Sequence, residues 1–323
     1  ATTEIYTLSL PDALPIYMDV TVMGTGADDN ITAVGAGPQV VDVQVNAGPI
    51  VRYSGLDMLM LQGKNGDDDF DIDVNGLTAV AITVDGGNPS TNADVVTVTG
   101  TSVVDTPNYT PAAVDSGTLA IGGLTTPINL DNVERLIVDG ENQNETLTVT
   151  SAVGMARIIT HTPGTVVDAG KIQVGNWLSV EYVSLGAGGS IRLNDLDGTL
   201  DDTLVYNGTL GDDGFTVTTA GLIQLAGHID VNASDINALT LALLSGNDSV
   251  SVSASSLFAG GIRIEGGTSD PTSDSVTVTG QDNTADDAIG VNLSAGTVTG
   301  IVGGAITLTG VEELTVNANG TDT

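Results

Sequence analysis

The amino-acid sequence predicts an all-β fold, and more specifically an elongated repeat protein. Val or Leu alternates with Thr or Ser in four short segments, 95–99, 146–150, 249–253 and 275–279. This period of two is that of a strand with one buried face, and β-branched residues favour strand over helix. Apolar residues make up 41% of the chain but aromatic residues only 3%, which suits a thin core of stacked Val, Ile and Leu.

A long-range repeat supports this fold class, because periodic sequence implies periodic structure. Residues 82–87 read ITVDGG and residues 262–267 read IRIEGG, at an offset of 180. The paired segments are 24–29 with 208–213, 55–61 with 235–241, 96–100 with 276–280, and 133–136 with 311–314. We therefore expect each copy to bury its apolar side against its neighbours.

A shorter unit lies inside the long one. Leu59 precedes Phe70 by 11 residues, and Leu239 precedes Val250 by the same distance. A polar turn with Gly, Asn and acidic residues lies within the interval, at 63–69 in the first copy and at 245–249 in the second. The unit therefore reads as a strand, a polar turn, a second strand and a loop.

Two architectures fit this unit. In a parallel β-solenoid, Leu59 and Val84 take equivalent places in successive coils, as do Phe70 and Val98, so that a coil has about 25 residues. In tandem β-sandwich domains, the same segments form antiparallel hairpins. The evenness of the spacing and the scarcity of aromatic residues favour the solenoid.

The repeats divide the chain into four parts. We expect a divergent N-terminal segment at 1–19, a first long repeat at 20–143, a shorter intermediate repeat at 144–203, and a second long repeat at 204–323. The second long repeat stops in a turn, so we expect a neighbouring copy or a longer chain to continue it. Residues 3–17 resemble the translation of a sequencing adapter, as found at the ends of metagenomic sequences.

The charge restricts the partners. Seven Lys and Arg against 41 Asp and Glu give a net charge of −34, which repels nucleic acid and anionic lipid. No apolar stretch is long enough for a membrane-spanning helix. A Lys-poor acidic chain without Cys is compatible with a location outside the cell or on its surface.

The repeat elements, from the Leu-rich strands to Val-Thr-Val-Thr-Gly at 96–100 and 276–280, resemble those of a known class. They are similar to the long acidic Val/Thr/Gly/Asp-rich repeat proteins of bacterial cell surfaces and extracellular matrices, which are adhesin-like or filament-forming. The resemblance covers nearly all of 20–323 and implies a role outside the cell, with no catalytic residues to carry over. The repeat ends without a polar cap predict a structural subunit that assembles with copies of itself. An adhesive or carbohydrate-binding stalk module is the alternative.

The acid-rich turns are candidate Ca²⁺ sites, because Ca²⁺ prefers several oxygen ligands. Residues 63–71 loosely resemble the Gly-rich nonapeptide repeats that bind Ca²⁺ in secreted bacterial toxins, but no second copy follows nine residues later. The candidate metal ligands are Asp67, Asp68, Asp69, Asp71, Asp212 and Asp213. The alternative is that these acids are solvated turn residues.

Eight Asn-x-Ser/Thr sequences are candidate glycosylation sites, several of them in the polar turns. They begin at Asn30, Asn108, Asn144, Asn207, Asn232, Asn247, Asn292 and Asn319.

No catalytic motif supports an enzyme. The two histidines, His161 and His228, have no Cys partner, and no nucleophile elbow, phosphate loop or HExxH sequence occurs. A β-helix polysaccharide-degrading enzyme is a remote alternative, because such enzymes usually line a groove with basic and aromatic residues, and this chain has one Trp. We therefore expect a non-catalytic structural protein.

Overall fold

The computed structural model describes residues 18–88, 93–151, 156–195, 201–267, 274–281 and 288–318. Every regular element in these ranges is a β-strand, which confirms the all-β prediction. The described part of the chain contains no helix of the length and apolarity needed to cross a membrane.

The described strands form two long sheets, which we call the first and the second sheet. The first sheet has 14 strands: β1 (Met18–Met23), β5 (Leu56–Asn65), β7 (Ala81–Asn88), β9 (Asn108–Pro111), β10 (Gly117–Ala120), β11 (Ile128–Asp131), β13 (Thr146–Thr150), β17 (Ser190–Asn194), β19 (Gly214–Val217), β20 (Leu222–Leu225), β21 (Asp230–Asn232), β23 (Ser249–Ser253), β25 (Ser275–Thr279) and β29 (Glu313–Asn317). The second sheet has 15 strands: β2 (Asn30–Gly37), β3 (Val40–Val45), β4 (Val51–Ser54), β6 (Asp69–Asp73), β8 (Val95–Thr99), β12 (Arg135–Asp139), β14 (Ile158–Pro163), β15 (Gly170–Val174), β16 (Val180–Val183), β18 (Thr203–Asn207), β22 (Ala238–Ala242), β24 (Gly261–Glu265), β26 (Gly290–Asn292), β27 (Thr297–Thr299) and β28 (Ile306–Thr309).

The chain visits the two sheets by turns. Strands one full coil apart pair in parallel, as β5 does with β7 and β6 with β8. Three-stranded antiparallel meanders interrupt this pattern, and the described ones are β2–β4, β9–β11, β14–β16, β19–β21 and β26–β28. Parallel pairing of successive coils is what the solenoid predicts, and antiparallel hairpins are what tandem sandwiches predict. The described strands contain both, so the solenoid stays a prediction.

The predicted coil register differs from the observed one by two residues. Leu59 pairs with Ile82, and the partner of Val84 is Leu61. Phe70 likewise pairs with Val96, not with Val98. The coil therefore measures 23 residues at β5 and 26 at β6, instead of the predicted 25.

The two long repeats place matching strands in opposite sheets. Leu59 lies on β5 of the first sheet, and its counterpart Leu239 lies on β22 of the second. Phe70 lies on β6 of the second sheet, and its counterpart Val250 lies on β23 of the first. A coil has one strand in each sheet, so we call one strand with its turn a half-coil. The long repeat therefore advances the chain by an odd number of half-coils, and the half-coil is the smallest structural unit.

The core is a continuous layer between the two sheets. Val96 and Val98 are fully buried, whereas their neighbours Val95, Thr97 and Thr99 are only half-buried. This alternation recurs along most strands and joins the buried Val, Ile and Leu residues into one cluster. At about 1.5–3 kcal/mol for each fully buried aliphatic side chain, this layer is the main stabilising term.

Candidate functional site

Acidic side chains connect successive coils along one edge of the molecule, in the turns that lead from the first sheet to the second. The backbone N–H of Asp29 donates to Asp68 Oδ1 at 2.8 Å, and that of Asp68 donates to Asp94 Oδ1 at 2.8 Å. The N–H of Asp94 donates to Glu134 Oε2 at 2.8 Å. We call this series the first carboxylate ladder.

A second carboxylate ladder repeats this geometry in the other half of the chain. The N–H groups of Asp213 and Asp248 donate to Oδ1 of Asp248 and Asp274, at 2.8 and 3.0 Å. The N–H of Asp274 then donates to Glu312 Oε2 at 2.8 Å. These turns lead from the second sheet to the first, so the two ladders lie on opposite edges.

Each ladder begins with a turn that satisfies its own acid. The N–H of Thr209 donates to Asp213 Oδ2 at 2.7 Å, and the Thr209 hydroxyl donates to Oδ1 of the same residue at 2.9 Å. Thr25 makes the same pair of contacts with Asp29 Oδ2. Oδ1, which accepts an N–H of the preceding coil in the later ladder acids, accepts the Thr209 hydroxyl in Asp213 and Asn46 Nδ2 in Asp29.

The middle acids are buried and only half satisfied. Asp68 and Asp94 are 0% exposed and Asp248 and Asp274 are 1% exposed, yet Oδ2 of each has no hydrogen-bond partner among the described residues. Burial raises the pKa of Asp68, and it raises the pKa of Asp94 and Asp248 to about 6. The cost of removing a carboxylate from water explains the direction of all three shifts.

The structure separates the six predicted metal ligands. Asp68 and Asp213 are ladder members, whereas Asp69 and Asp71 lie on the exposed face of β6. Asp212 Oδ1 accepts the N–H of Asn247 at 2.8 Å, and the N–H of Asp67 donates to Asp28 at 3.0 Å. No group of three or more His, Asp or Glu side chains with metal-binding geometry occurs in the described ranges. Calcium binding stays a prediction.

The ladders were not predicted as such, although the sequence carries a signal for them. An acid follows a Gly by five positions in several turns, and its carboxylate lies against that Gly in the structure. The pairs are Gly24 with Asp29, Gly63 with Asp68, Gly100 with Asp105, Gly140 with Glu145, and Gly208 with Asp213. Asp94, Asp248 and Asp274 extend the ladders but were not singled out.

The predicted glycosylation sites differ in exposure. Asn30, Asn108, Asn144, Asn247 and Asn292 are exposed, and Asn207 and Asn232 are half-buried. Asn319 lies outside the described residues. Asn144 Oδ1 accepts the N–H of Gly188 at 2.8 Å, so that side chain already has a structural contact.

His161 lies in the core, where the sequence offered no specific role for it. Its Nε2 is 2.7 Å from the Tyr182 hydroxyl, and its ring meets that of Tyr206 edge to face at 4.3 Å. Burial lowers the pKa of His161 to about 3, so the imidazole is neutral at ordinary pH. These contacts make it a packing residue at the meander β14–β16.

Several basic side chains make contacts on the outer faces of the sheets. Arg52 pairs with Asp42 at 2.6 Å, and Arg135 pairs with Glu181 at 2.5 Å. Arg157 stacks over the Trp177 ring at 3.9 Å. The hydrogen bonds to the middle ladder acids come instead from backbone N–H groups.

The two ends of the sheets are the second notable surface. Among the described strands, β1 and β29 are outermost in the first sheet, and β4 and β26 are outermost in the second. Inward-facing Val316 on β29 is 36% exposed and Val291 on β26 is 45% exposed, whereas Val98 in an interior coil is 0% exposed. Within the described ranges each of these four strands has one edge without a neighbouring strand, and at the end formed by β26 and β29 inward-facing residues are exposed.

Comparisons with protein-family models, with curated proteins and with solved structures each found no match to this chain.

Proposed function

We propose that this chain is a non-catalytic structural subunit of an extracellular filament, sheath or surface layer, which assembles end to end. The outermost strands β1, β4, β26 and β29 carry the proposal. Each has a free edge of backbone N–H and C=O groups in the described structure, and such edges readily accept another strand.

The two ends are compatible in direction and chemistry. β1 pairs in parallel with β5, and β29 pairs in parallel with β25. Parallel pairing of β29 of one copy with β1 of the next therefore extends the first sheet with the same strand direction. In the second sheet, β26 meets β4 of the next copy. The join covers Leu314 and Val316 at one end and Val20 and Val22 at the other, all inward-facing.

Charge favours end-to-end over side-by-side contact. The chain has a net charge of −34, so side-by-side packing of two molecules brings like charges together. At physiological ionic strength, exposed charges are screened beyond about 8 Å, which leaves close lateral contacts repulsive. The acidic composition also supports the extracellular location in this proposal.

Concentration-dependent association tests the proposal. We expect sedimentation velocity of the full chain to show species larger than one copy as concentration rises, and negative-stain microscopy to show unbranched rods. Val22→Lys places a charge on the inward face of β1 and should abolish association, because an inward-pointing charge protects a strand edge. Thr21→Lys on the outward face of the same strand is the matched control and should still associate.

Two outcomes contradict this proposal. If the wild-type protein stays a single copy at high concentration, the end-to-end contact does not form. Retention on a polysaccharide or cell surface without self-association favours the adhesive stalk instead.

A further inference from the structure

The outer side of the first sheet is nearly free of charge over ten neighbouring strands. In sheet order these strands are β10, β9, β13, β17, β21, β20, β19, β23, β25 and β29. Their outward positions hold mainly Ser, Thr and Asn, and the charged residues among them are Arg192, Asp230 and Glu313. We call this surface the hydroxyl face.

The outer side of the second sheet has a different chemistry. β6 alone has three outward acids, Asp69, Asp71 and Asp73. The ion pair between Arg135 and Glu181 also lies on this side. In a chain with a net charge of −34, like charges brought close together repel. The hydroxyl face is therefore the surface through which two copies can approach side by side with little repulsion.

Hydroxyl groups form a regular row across four strands of this face. Thr216 pairs with Ser251, Ser251 with Thr277, and Thr277 with Thr315, all in parallel register. A hydroxyl group both donates and accepts a hydrogen bond. Such a row can therefore bond to a second row of the same kind, which makes the surface complementary to itself.

The area of the hydroxyl face is sufficient for a specific but weak contact. Its ten strands have three to five residues each. With about 4.8 Å between strands and about 3.3 Å per residue, the face measures roughly 600–700 Å². Two such faces then bury roughly 1,200–1,400 Å², near the lower end of the range for specific protein interfaces. Repetition of the contact along an assembly strengthens it without any new interaction.

The hydroxyl face is continuous with the proposed end-to-end join. β29 is both its last strand and the strand that meets β1 of the next copy in that join. Because the join extends the first sheet, the hydroxyl faces of successive copies lie on the outer side of one continuous sheet. A filament of this kind presents the same uncharged surface once in every copy.

We propose that the hydroxyl face is a lateral contact between two copies of this chain, which pairs filaments face to face. The inference rests on the proposed end-to-end assembly, because repetition along the filament makes the weak contact effective. The same surface is used by both partners, so the pairing is symmetric and closes with two filaments. The charged outer side of the second sheet then faces solvent and opposes the addition of a third filament.

Thiol protection tests the contact directly, because the chain has no cysteine of its own. Thr277→Cys places a thiol in the middle of the hydroxyl face. Thr97→Cys is the matched control, at a half-buried outward position of β8 between two Val residues, as Thr277 is on β25. A bulky maleimide should react with the Thr277→Cys thiol several-fold more slowly in filaments than in dilute single copies. The Thr97→Cys thiol should react at the same rate in both.

A charge variant tests the same contact by microscopy. Ser251→Glu combined with Thr277→Glu places carboxylates between the two faces, where an unpaired buried charge is costly. Negative-stain images should then show single filaments instead of pairs, with filament length unchanged. Thr97→Glu should still give pairs. Melting temperatures of both variants establish that the fold is kept.

Three results overturn the proposal. If the Thr277→Cys thiol reacts in filaments as fast as the Thr97→Cys thiol, the lateral contact is wrong and the end-to-end assembly stands. If no filaments form under any condition, the assembly fails and the lateral contact fails with it. If added dextran protects the Thr277→Cys thiol in single copies and filaments do not, the hydroxyl face binds a glycan instead of a second copy.

Discussion

Gly63 lies at the end of β5 with no room for a side chain. Asp68 Oδ2 and the carbonyl oxygen of Gly86 both contact the place where a Cβ would lie. The glycine is therefore required by the close approach of a carboxyl group and a neighbouring coil. Gly86 stands in the same relation to Asp94. At the residue scale, a glycine makes space for a buried acid, and the carboxylate of that acid accepts a backbone N–H from the neighbouring coil.

Gly63→Ala should destabilise the fold by about 1–3 kcal/mol, the usual cost of overpacking a well-packed site. Part of the obstruction is backbone, so it cannot move aside as a flexible side chain can. Gly26→Ala is the matched control, because no atom lies within 4 Å of the position of its Cβ. Its effect should stay within about 0.5 kcal/mol. Urea unfolding of both variants provides the comparison, and equal losses would contradict this role of Gly63.

At the element scale, a strand is held by its two neighbours in the sheet. Interior strands such as β8 pair on both sides, with β6 and β12, and bury their inward residues completely. The outermost strand β26 pairs only with β27 among the described strands, and its three residues are exposed. The coils should therefore differ in local stability even though their sequences are similar.

Hydrogen exchange should reveal this difference strand by strand. Amides of β8 and β12 should exchange only through opening that approaches global unfolding, whereas amides of β26 should exchange at low cost. The measurement suits dilute solution, where copies are separate. Protection of β26 equal to that of β8 under those conditions would contradict the assignment of β26 as an outermost strand.

The sequence predicts strands more reliably than register, for a physical reason. Alternation identifies which residues of β5 and β6 face inward, and those assignments agree with the burial pattern. A shift of two residues leaves every side chain on the same face, so Leu59 with Val84 is as acceptable to the pattern as Leu61 with Val84. Strands of both sheets have the same alternation of inward apolar and outward polar residues. The sequence pattern therefore does not show that matching strands of the two long repeats lie in opposite sheets.

The candidate site was predictable in part. The acid-rich turns are evident in the sequence, but Asp67, Asp68 and Asp69 are chemically identical and adjacent. Which of them is buried depends on the position of Gly63 and on the backbone of the next coil. Asp94 follows Gly86 by eight residues instead of five, so its spacing does not reveal the ladder.

At the scale of the whole molecule, the half-coil is repeated along two sheets of 14 and 15 described strands. A strand spacing of about 4.8 Å makes each sheet roughly 70 Å long. The two sheets have nearly equal numbers of described strands, because two of the described meanders lie in the first sheet and three in the second. Among the described strands, one strand of each sheet is outermost at each end, which is the geometry that the proposed assembly requires.

Disulfide trapping across the proposed join tests this assembly most directly, because the chain has no cysteine of its own. Thr21→Cys on β1 is combined in turn with Glu313→Cys, Thr315→Cys or Asn317→Cys on β29, which samples the register of the two strands. Adjacent strands bring Cα atoms within the roughly 4.4–6.8 Å that a disulfide spans. We predict that one of these pairs gives a ladder of covalent oligomers under mild oxidation, while each single-cysteine variant does not. If all three pairs stay monomeric at concentrations where the wild type associates, end-to-end joining of β29 to β1 is wrong.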